Sequence, residues 1–221
     1  MGEIEAFRLF YEQIPEVTKA FPKLSKSNSP NGITILKGEV DLIDEFGIWR
    51  DSFDIEIHPT ELFPYRFPAV FETGGKIPKN IDWHVFESSG KCCIRVGAEE
   101  AFICKNGISL IEFVTMEVLP YFFNQTFRRL NGFFIRERSH GLLGAVEFYL
   151  EKMREADIFK MIKYLEFICT CKEPGRTSLC FCGSGLKYRK CHRDRFRIMH
   201  SIGISIVIQD LTELKDVLNR H

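Results

Sequence analysis

Apolar residues recur at helical spacing near the start of the chain, at Phe7, Phe10, Tyr11, Ile14 and Val17. The pattern over residues 3–24 predicts an amphipathic opening helix with a kink or break at Pro15. Ser25 to Asn31 reads as turn chemistry, and Gly32 to Ile43 and Trp49 to His58 read as β-rich runs. The second run alternates at Phe53, Ile55 and Ile57, as a half-buried strand does, and Asp44 to Gly47 predicts the hairpin turn between the two. Pro59, Pro64 and Pro68 stiffen a crossing segment before a third apolar run, Ala69 to Phe71. A long irregular stretch from Thr73 to Gly107 follows, and stretches of that length inside compact domains are usually functional. From Ser109, an N-cap residue type, to Leu130 the pattern is helical again, with Leu110, Phe113, Val114, Val118, Tyr121 and Phe122 on one face and a bend at Pro120. Further helices are predicted over Gly144–Arg154, Asp157–Ile168 and Leu211–Asn219.

Composition adds bounds to this picture. The 221 residues suit one medium domain plus a small appendage, and 45% hydrophobic content with 21 Phe supplies a real core. Lys+Arg and Asp+Glu are 30 each, a balance that argues against a dedicated nucleic-acid binder while leaving local basic patches open. The first residues are acidic where a secretory leader is basic, and no run approaches the roughly 18 apolar residues of a membrane span. A soluble, cytoplasmic protein with no membrane partner is the expectation. In that reducing setting eight cysteines read as thiols and metal ligands before they read as disulfides.

Five of the cysteines crowd the C-terminal region, at Cys169, Cys171, Cys180, Cys182 and Cys191. Cys180-Phe181-Cys182 and Cys191-His192 supply four soft or borderline donors from two short pairs, which suits tetrahedral zinc. Gly183-Ser184-Gly185 between them allows a tight knuckle. The thirteen residues CFCGSGLKYRKCH resemble the SEC-C zinc motif of secretion ATPases and many bacterial proteins. The resemblance implies a structural zinc held by Cys180, Cys182, Cys191 and His192; ordinary reduced cysteines are the alternative. Cys169 and Cys171 are either a second half-site or substitute ligands or, since no matching pair remains for them, buried structural thiols, which is the preferred reading. Lys187, Arg189, Lys190, Arg193, Arg195 and Arg197 form either a solvated basic face or a surface for nucleic acid, the ribosome or an acidic partner.

The central segment from Glu61 to Arg95 contains Tyr65-Arg66-Phe67-Pro68-Ala69-Val70-Phe71, then His84, then Gly90-Lys91-Cys92-Cys93-Ile94. This order resembles the ubiquitin-conjugating family, over roughly residues 1–130: an N-terminal helix, a four-stranded antiparallel meander, a proline-rich crossing, a histidine-containing loop and a Gly-x-x-Cys-[Leu/Ile] turn. It is most similar to the divergent bacterial members of antiphage (CBASS-type) operons. The resemblance implies that Cys93 is the acyl-carrying nucleophile. Successive side chains of an extended segment point to opposite sides, so Cys92 reads as a small buried hydrophobe or a resolving thiol. Lys91 and Arg95 lie near enough in sequence to favour the thiolate. The chain departs from the family after His84, where Val85-Phe86 replaces Pro-Asn and removes the side chain credited with oxyanion stabilisation. His84 is then either an oxyanion donor or weak acid/base, or a residue that tethers the loop. Asn80 and Asn106 are candidate substitutes, and Asp82 either orients His84 or caps a turn.

These readings converge on an α+β fold of ubiquitin-conjugating type, with a domain over residues 1–155 and a helical zinc-bearing region over 156–221. The expected activity is acyl transfer through Cys93, assisted by His84. By the resemblance, the donor is a ubiquitin-like protein or the C-terminal tail of a nucleotidyltransferase, and the acceptor is a target protein or a small molecule. No Gly-rich adenylate-binding unit is present, so either activation of the tail comes from elsewhere or the tail is captured differently. The rival reading is a non-catalytic adaptor that keeps the conjugating fold as a docking surface.

Overall fold

A computed structural model describes residues 2–135 and 137–220. The chain is α+β, with one four-stranded antiparallel sheet and two compact units. The first unit comprises Met1–Arg95 and Asn106–Glu137, and the second Val96–Lys105 and Arg138–His221. This grouping differs from a boundary at 155, because residues 138–155 pack their apolar face with the C-terminal helices.

In the first unit α1 (Glu3–Ala20) buries Ala6, Phe10, Ile14 and Val17, the stripe expected of a helix with one face on a core, and it continues through Pro15. β1 (Leu24–Asn28), β2 (Thr34–Ile43), β3 (Trp49–His58) and β4 (Ala69–Glu72) form a meander in the order β1-β2-β3-β4. The turn expected over Ser25–Asn31 is therefore displaced: residues 24–28 pair with β2, and the turn closes where Gly32 N–H donates to the Ser29 carbonyl at 2.9 Å. The polar run LSKSN hides this strand because it lies at the sheet edge with only Leu24 buried. Opposite it, Gly38 has φ +145°, and a Cβ there would lie 2.1 Å from the Lys23 carbonyl, so the close approach of β1 requires glycine.

β3 buries Asp51, Phe53, Ile55 and Ile57 in alternation. Phe53 meets Phe122 at 4.7 Å between ring centroids, Phe10 meets Phe63 edge-on, and Phe67 meets Phe113. Each fully buried Phe of this set contributes about 2 kcal/mol of transfer free energy. The predicted helix from Ser109 has three parts: α3 (Leu110–Phe113), a π turn (Val114–Val118) and α4 (Leu119–Asn131). Pro120 has no N–H to return to the preceding turn, and the widened π turn stands where that bond is lost.

The second unit is helical. α2 (Gly97–Ile103) lies inside the stretch expected to be irregular, and α5 (Gly141–Met153), α6 (Ile158–Thr170), α7 (Arg193–Ile202) and α8 (Ile204–Asn219) complete it. Its core includes Phe148, Tyr149, Met161, Leu165, Phe196 and Met199. Asp157 caps α6 by accepting from the N–H groups of Phe159 and Lys160. Among the described residues, no helix is long and apolar enough to cross a membrane.

Candidate active site and metal centre

The site in the first unit is built by a loop that folds back on the sheet. Asn80 opens a single 3-10 turn, Ile81–Trp83, by accepting from the Asp82 N–H at 2.7 Å. Asn80 is thus the capping residue, while Asp82 is exposed. His84 then takes a left-handed conformation, φ 54° and ψ 39°, which an L side chain adopts only where neighbours hold it there. That reversal sends Val85 back to pair with Cys92, and Phe86 N–H donates to the Lys91 carbonyl at 2.9 Å. Gly90, at φ 74°, supplies the tight turn of this small hairpin. Lys91 also pairs with Phe71, and Cys92 N–H donates to the Val70 carbonyl at 2.8 Å, so the cysteine segment extends along β4.

The alternation of that extended segment separates the two adjacent thiols. Cys92 is buried at 2% exposure, and burial pushes its thiol up to about 12, so it stays protonated. Cys93 is half-buried and follows at the mouth of the hairpin. Its N–H donates to the His84 carbonyl at 2.7 Å, and its sulfur and a ring nitrogen of His84 lie within 4.8 Å of one another. The His84 ring packs on Phe134 at 4.9 Å, and its Nε2 lies 3.6 Å from the Glu137 carboxylate. Glu137, which sequence reasoning missed, therefore occupies the place beside the imidazole once considered for Asp82. Arg95 bonds Glu117 at 2.7 Å. Asn106 is exposed, and Asn80 is engaged with its turn.

The candidate metal ligands, Cys180, Cys182, Cys191 and His192, lie in the second unit. Cys180 N–H donates to the Leu186 carbonyl at 2.9 Å and Gly183 N–H to the Cys180 carbonyl at 3.2 Å, closing the knuckle. A 3-10 turn, Tyr188–Lys190, carries the chain to Cys191, and His192 stands at the N-cap of α7. The basic run concealed this helix: Arg193 and Arg197 turn toward Glu173, while Phe196, Met199 and Ile202 are buried on its other face. Cys182 Sγ lies 3.6 Å from Cys191 Sγ, Cys180 Sγ 3.4 Å from His192 Nδ1, and Cys191 Sγ 3.1 Å from His192 Nδ1. Tetrahedral zinc with its usual bond lengths separates two sulfurs by about 3.8 Å and a sulfur from a nitrogen by about 3.6 Å, so the donor set fits. All four donor atoms lie within 4.8 Å of one another. Residues 176–194 match the family model of the SEC-C motif. No curated protein and no solved structure matches the chain.

The SEC-C segment concentrates its chemistry. Burial pushes the Cys180 thiol up to about 11. Burial acts the same way on Cys182, but bonds from the Ser184 hydroxyl and backbone and from the neighbouring thiols outweigh it and hold Cys182 below the ordinary thiol value. Burial, with Arg195 nearby, lowers His192 and favours the neutral imidazole that ligates metal. Phe181 stacks on Phe167 of α6 at 4.2 Å, and Tyr164 lies against the His192 ring at 4.8 Å. Cys169 and Cys171 stay outside the cluster, and Cys171 is exposed, which corrects the reading of both as buried thiols.

Proposed function

We propose that this chain is a cysteine acyltransferase of the ubiquitin-conjugating kind, with Cys93 as the nucleophile and zinc as the structural metal of the SEC-C segment. The observation that carries the reading is the course of the chain into the site. A helix and an antiparallel meander lead to a hairpin that buries Cys92 and leaves the more accessible Cys93 beside His84. The Cys93 thiolate attacks the carbonyl of an activated protein C-terminal tail and expels its activating group, forming a C–S bond. An amine or other nucleophile then attacks the thioester and the thiolate leaves. By the resemblance, the tail is that of a ubiquitin-like protein or of a nucleotidyltransferase in an antiphage system, and a separate protein activates it. The Cys93 N–H is spent on the His84 carbonyl, and the His84 imidazole, with a ring nitrogen within 4.8 Å of the thiol sulfur, takes the part of oxyanion donor. Zinc bound by Cys180, Cys182, Cys191 and His192 supplies folding energy and no chemistry.

The second reading, a non-catalytic adaptor, is favoured by the departure after His84, where Val85-Phe86 replaces Pro-Asn, while Asn80 is engaged in capping its own turn and Asn106 is exposed. Both readings meet in one experiment. The protein is expressed in its source cells and isolated without reductant, and its intact mass is read before and after hydroxylamine and after thiol reductant, beside Cys93→Ala and Cys92→Ala. A hydroxylamine-labile adduct lost only in Cys93→Ala is expected, and its mass identifies the carrier. No adduct, with a partner still held by Cys93→Ala, makes the protein an adaptor.

A further inference from the structure

We propose that α4 is a clamp that sets the position of His84 against Cys93, with Tyr121 as its principal positioning residue. Three side chains at i, i+4 and i+7 of the helix donate to three successive carbonyls of the histidine loop. The Tyr121 hydroxyl reaches the His84 carbonyl at 2.9 Å, Gln125 Nε2 reaches that of Trp83 at 2.8 Å, and Arg128 Nη1 reaches that of Asp82. The last carbonyls of a helical turn have no partners within it, and here another helix supplies them, one per turn of its own length.

Two details separate this row from ordinary packing. Gln125 is 1% exposed and its Oε1 has no hydrogen-bond partner, so the buried amide is kept for its N–H at the cost of an unsatisfied oxygen. The His84 carbonyl, moreover, accepts both the Tyr121 hydroxyl and the Cys93 N–H, so one atom ties the imidazole-bearing residue to the thiol-bearing one. Arg128 also lies over the rings of Trp83 and Phe134, and Phe134 in turn packs on the His84 ring. Burial and the neighbouring thiols hold the Tyr121 phenol neutral, as a donor must be. The left-handed backbone at His84 is the conformation such a clamp has to hold.

The inference rests on the nucleophilic role proposed for Cys93, but its test uses only the thiol's own chemistry and needs no acyl donor. Iodoacetamide alkylation of the full-length protein is followed at Cys93 by peptide mass mapping between about pH 6 and 9, in wild type, His84→Ala, Tyr121→Phe, Gln125→Met, Arg128→Met and Arg128→Lys. Tyr121→Phe is expected to slow Cys93 alkylation roughly tenfold near neutral pH and to move the midpoint of its pH profile. Arg128→Met is expected to slow it less, and Arg128→Lys, which keeps a donor, to restore it. In a His84→Ala background the Tyr121→Phe effect should disappear, because the clamp acts through that histidine. An effect that persists in His84→Ala, or unchanged alkylation in a folded Tyr121→Phe, overturns the clamp. If Tyr121→Phe does not fold, the contrast between Arg128→Met and Arg128→Lys decides. A clamp that holds without a thioester adduct sinks the transferase reading alone, and an adduct without a clamp sinks this inference alone.

Discussion

Cys93 and Cys180 are both cysteines beside a histidine, and the two regions hold them by different means. Cys93 is set by backbone bonds to a loop, by a hairpin against β4 and by donors from α4, so its neighbours come from segments scattered between residues 70 and 137. Cys180 and its three companion donors come from thirteen consecutive residues and are drawn together by two short turns. The first site draws on a unit with an aromatic core, and the chemistry proposed for it depends on precise placement of one thiol. The second crowds thiols that repel as they ionise, a donor set that suits a divalent cation.

The largest expected effect breaks the comparison on the metal side. Cys180→Ser combined with Cys191→Ser, or a strong chelator, should remove about one equivalent of zinc and with it folding energy on the order of 10 kcal/mol for the knuckle. Metal analysis checks the stoichiometry. Hydrogen exchange checks the location, with protection lost over residues 176–202 while the β2–β3 amides serve as the internal reference. Wild-type protein that purifies without metal yet keeps that protection would show that Phe167, Phe181 and Tyr164 suffice to hold the segment.

The next effect probes the sheet side. Asp51 is buried at the end of the alternating row of β3 and accepts from Lys76 Nζ, Thr126 Oγ1 and Arg129 Nη1. Burial alone would push its carboxyl up, but the Lys76, Ser52 and Thr126 hydrogen bonds outweigh it and hold the group below the ordinary aspartate value. Asp51→Ala leaves two cations facing a space with no counter-charge and should cost about 3 kcal/mol, read as a fall in the urea midpoint at constant slope. Because the folded pKa is depressed, this stability is present above the unfolded value of about 3.9 and is lost as pH falls through the folded one. Asp51→Asn should flatten that acid limb, and an unchanged limb would assign it to other carboxylates.

What the sequence showed follows the same division. The knuckle was legible because its donors are neighbours in the chain, and α1, β2, β3 and the capped helix because each carries its own period. β1 was hidden by its polar edge position, α2 by its brevity inside a loop-like stretch, and α7 by charges that pair with Glu173. The row Tyr121, Gln125 and Arg128 did have a signal, polar groups at helical spacing within an apolar helix, but what they bond is set by a fold-back around forty residues away that no local pattern encodes. Glu137 had no signal at all, being one acidic residue in a polar loop.

The smallest effect sharpens the contrast between local and distant determinants at a single helix end. Ser109 and Glu112 form both arms of a capping box: Ser109 Oγ accepts from the Glu112 N–H at 3.2 Å and the Glu112 carboxylate accepts from the Ser109 N–H at 3.0 Å. The next orphan donor, the Leu110 N–H, is met from far along the chain by Gln13 Oε1 of α1 at 2.6 Å. Ser109→Ala should cost about 1 kcal/mol, a few degrees in thermal midpoint. Gln13→Leu, which strips the distant partner and adds apolar bulk, leaves the box intact. If the two substitutions cost the same, the remote bond contributes as much to starting this helix as the motif that announces it. If Gln13→Leu is neutral, α1 is held by the burial of Phe10, Ile14 and Val17 alone, and the helix that carries Tyr121 starts from its own sequence.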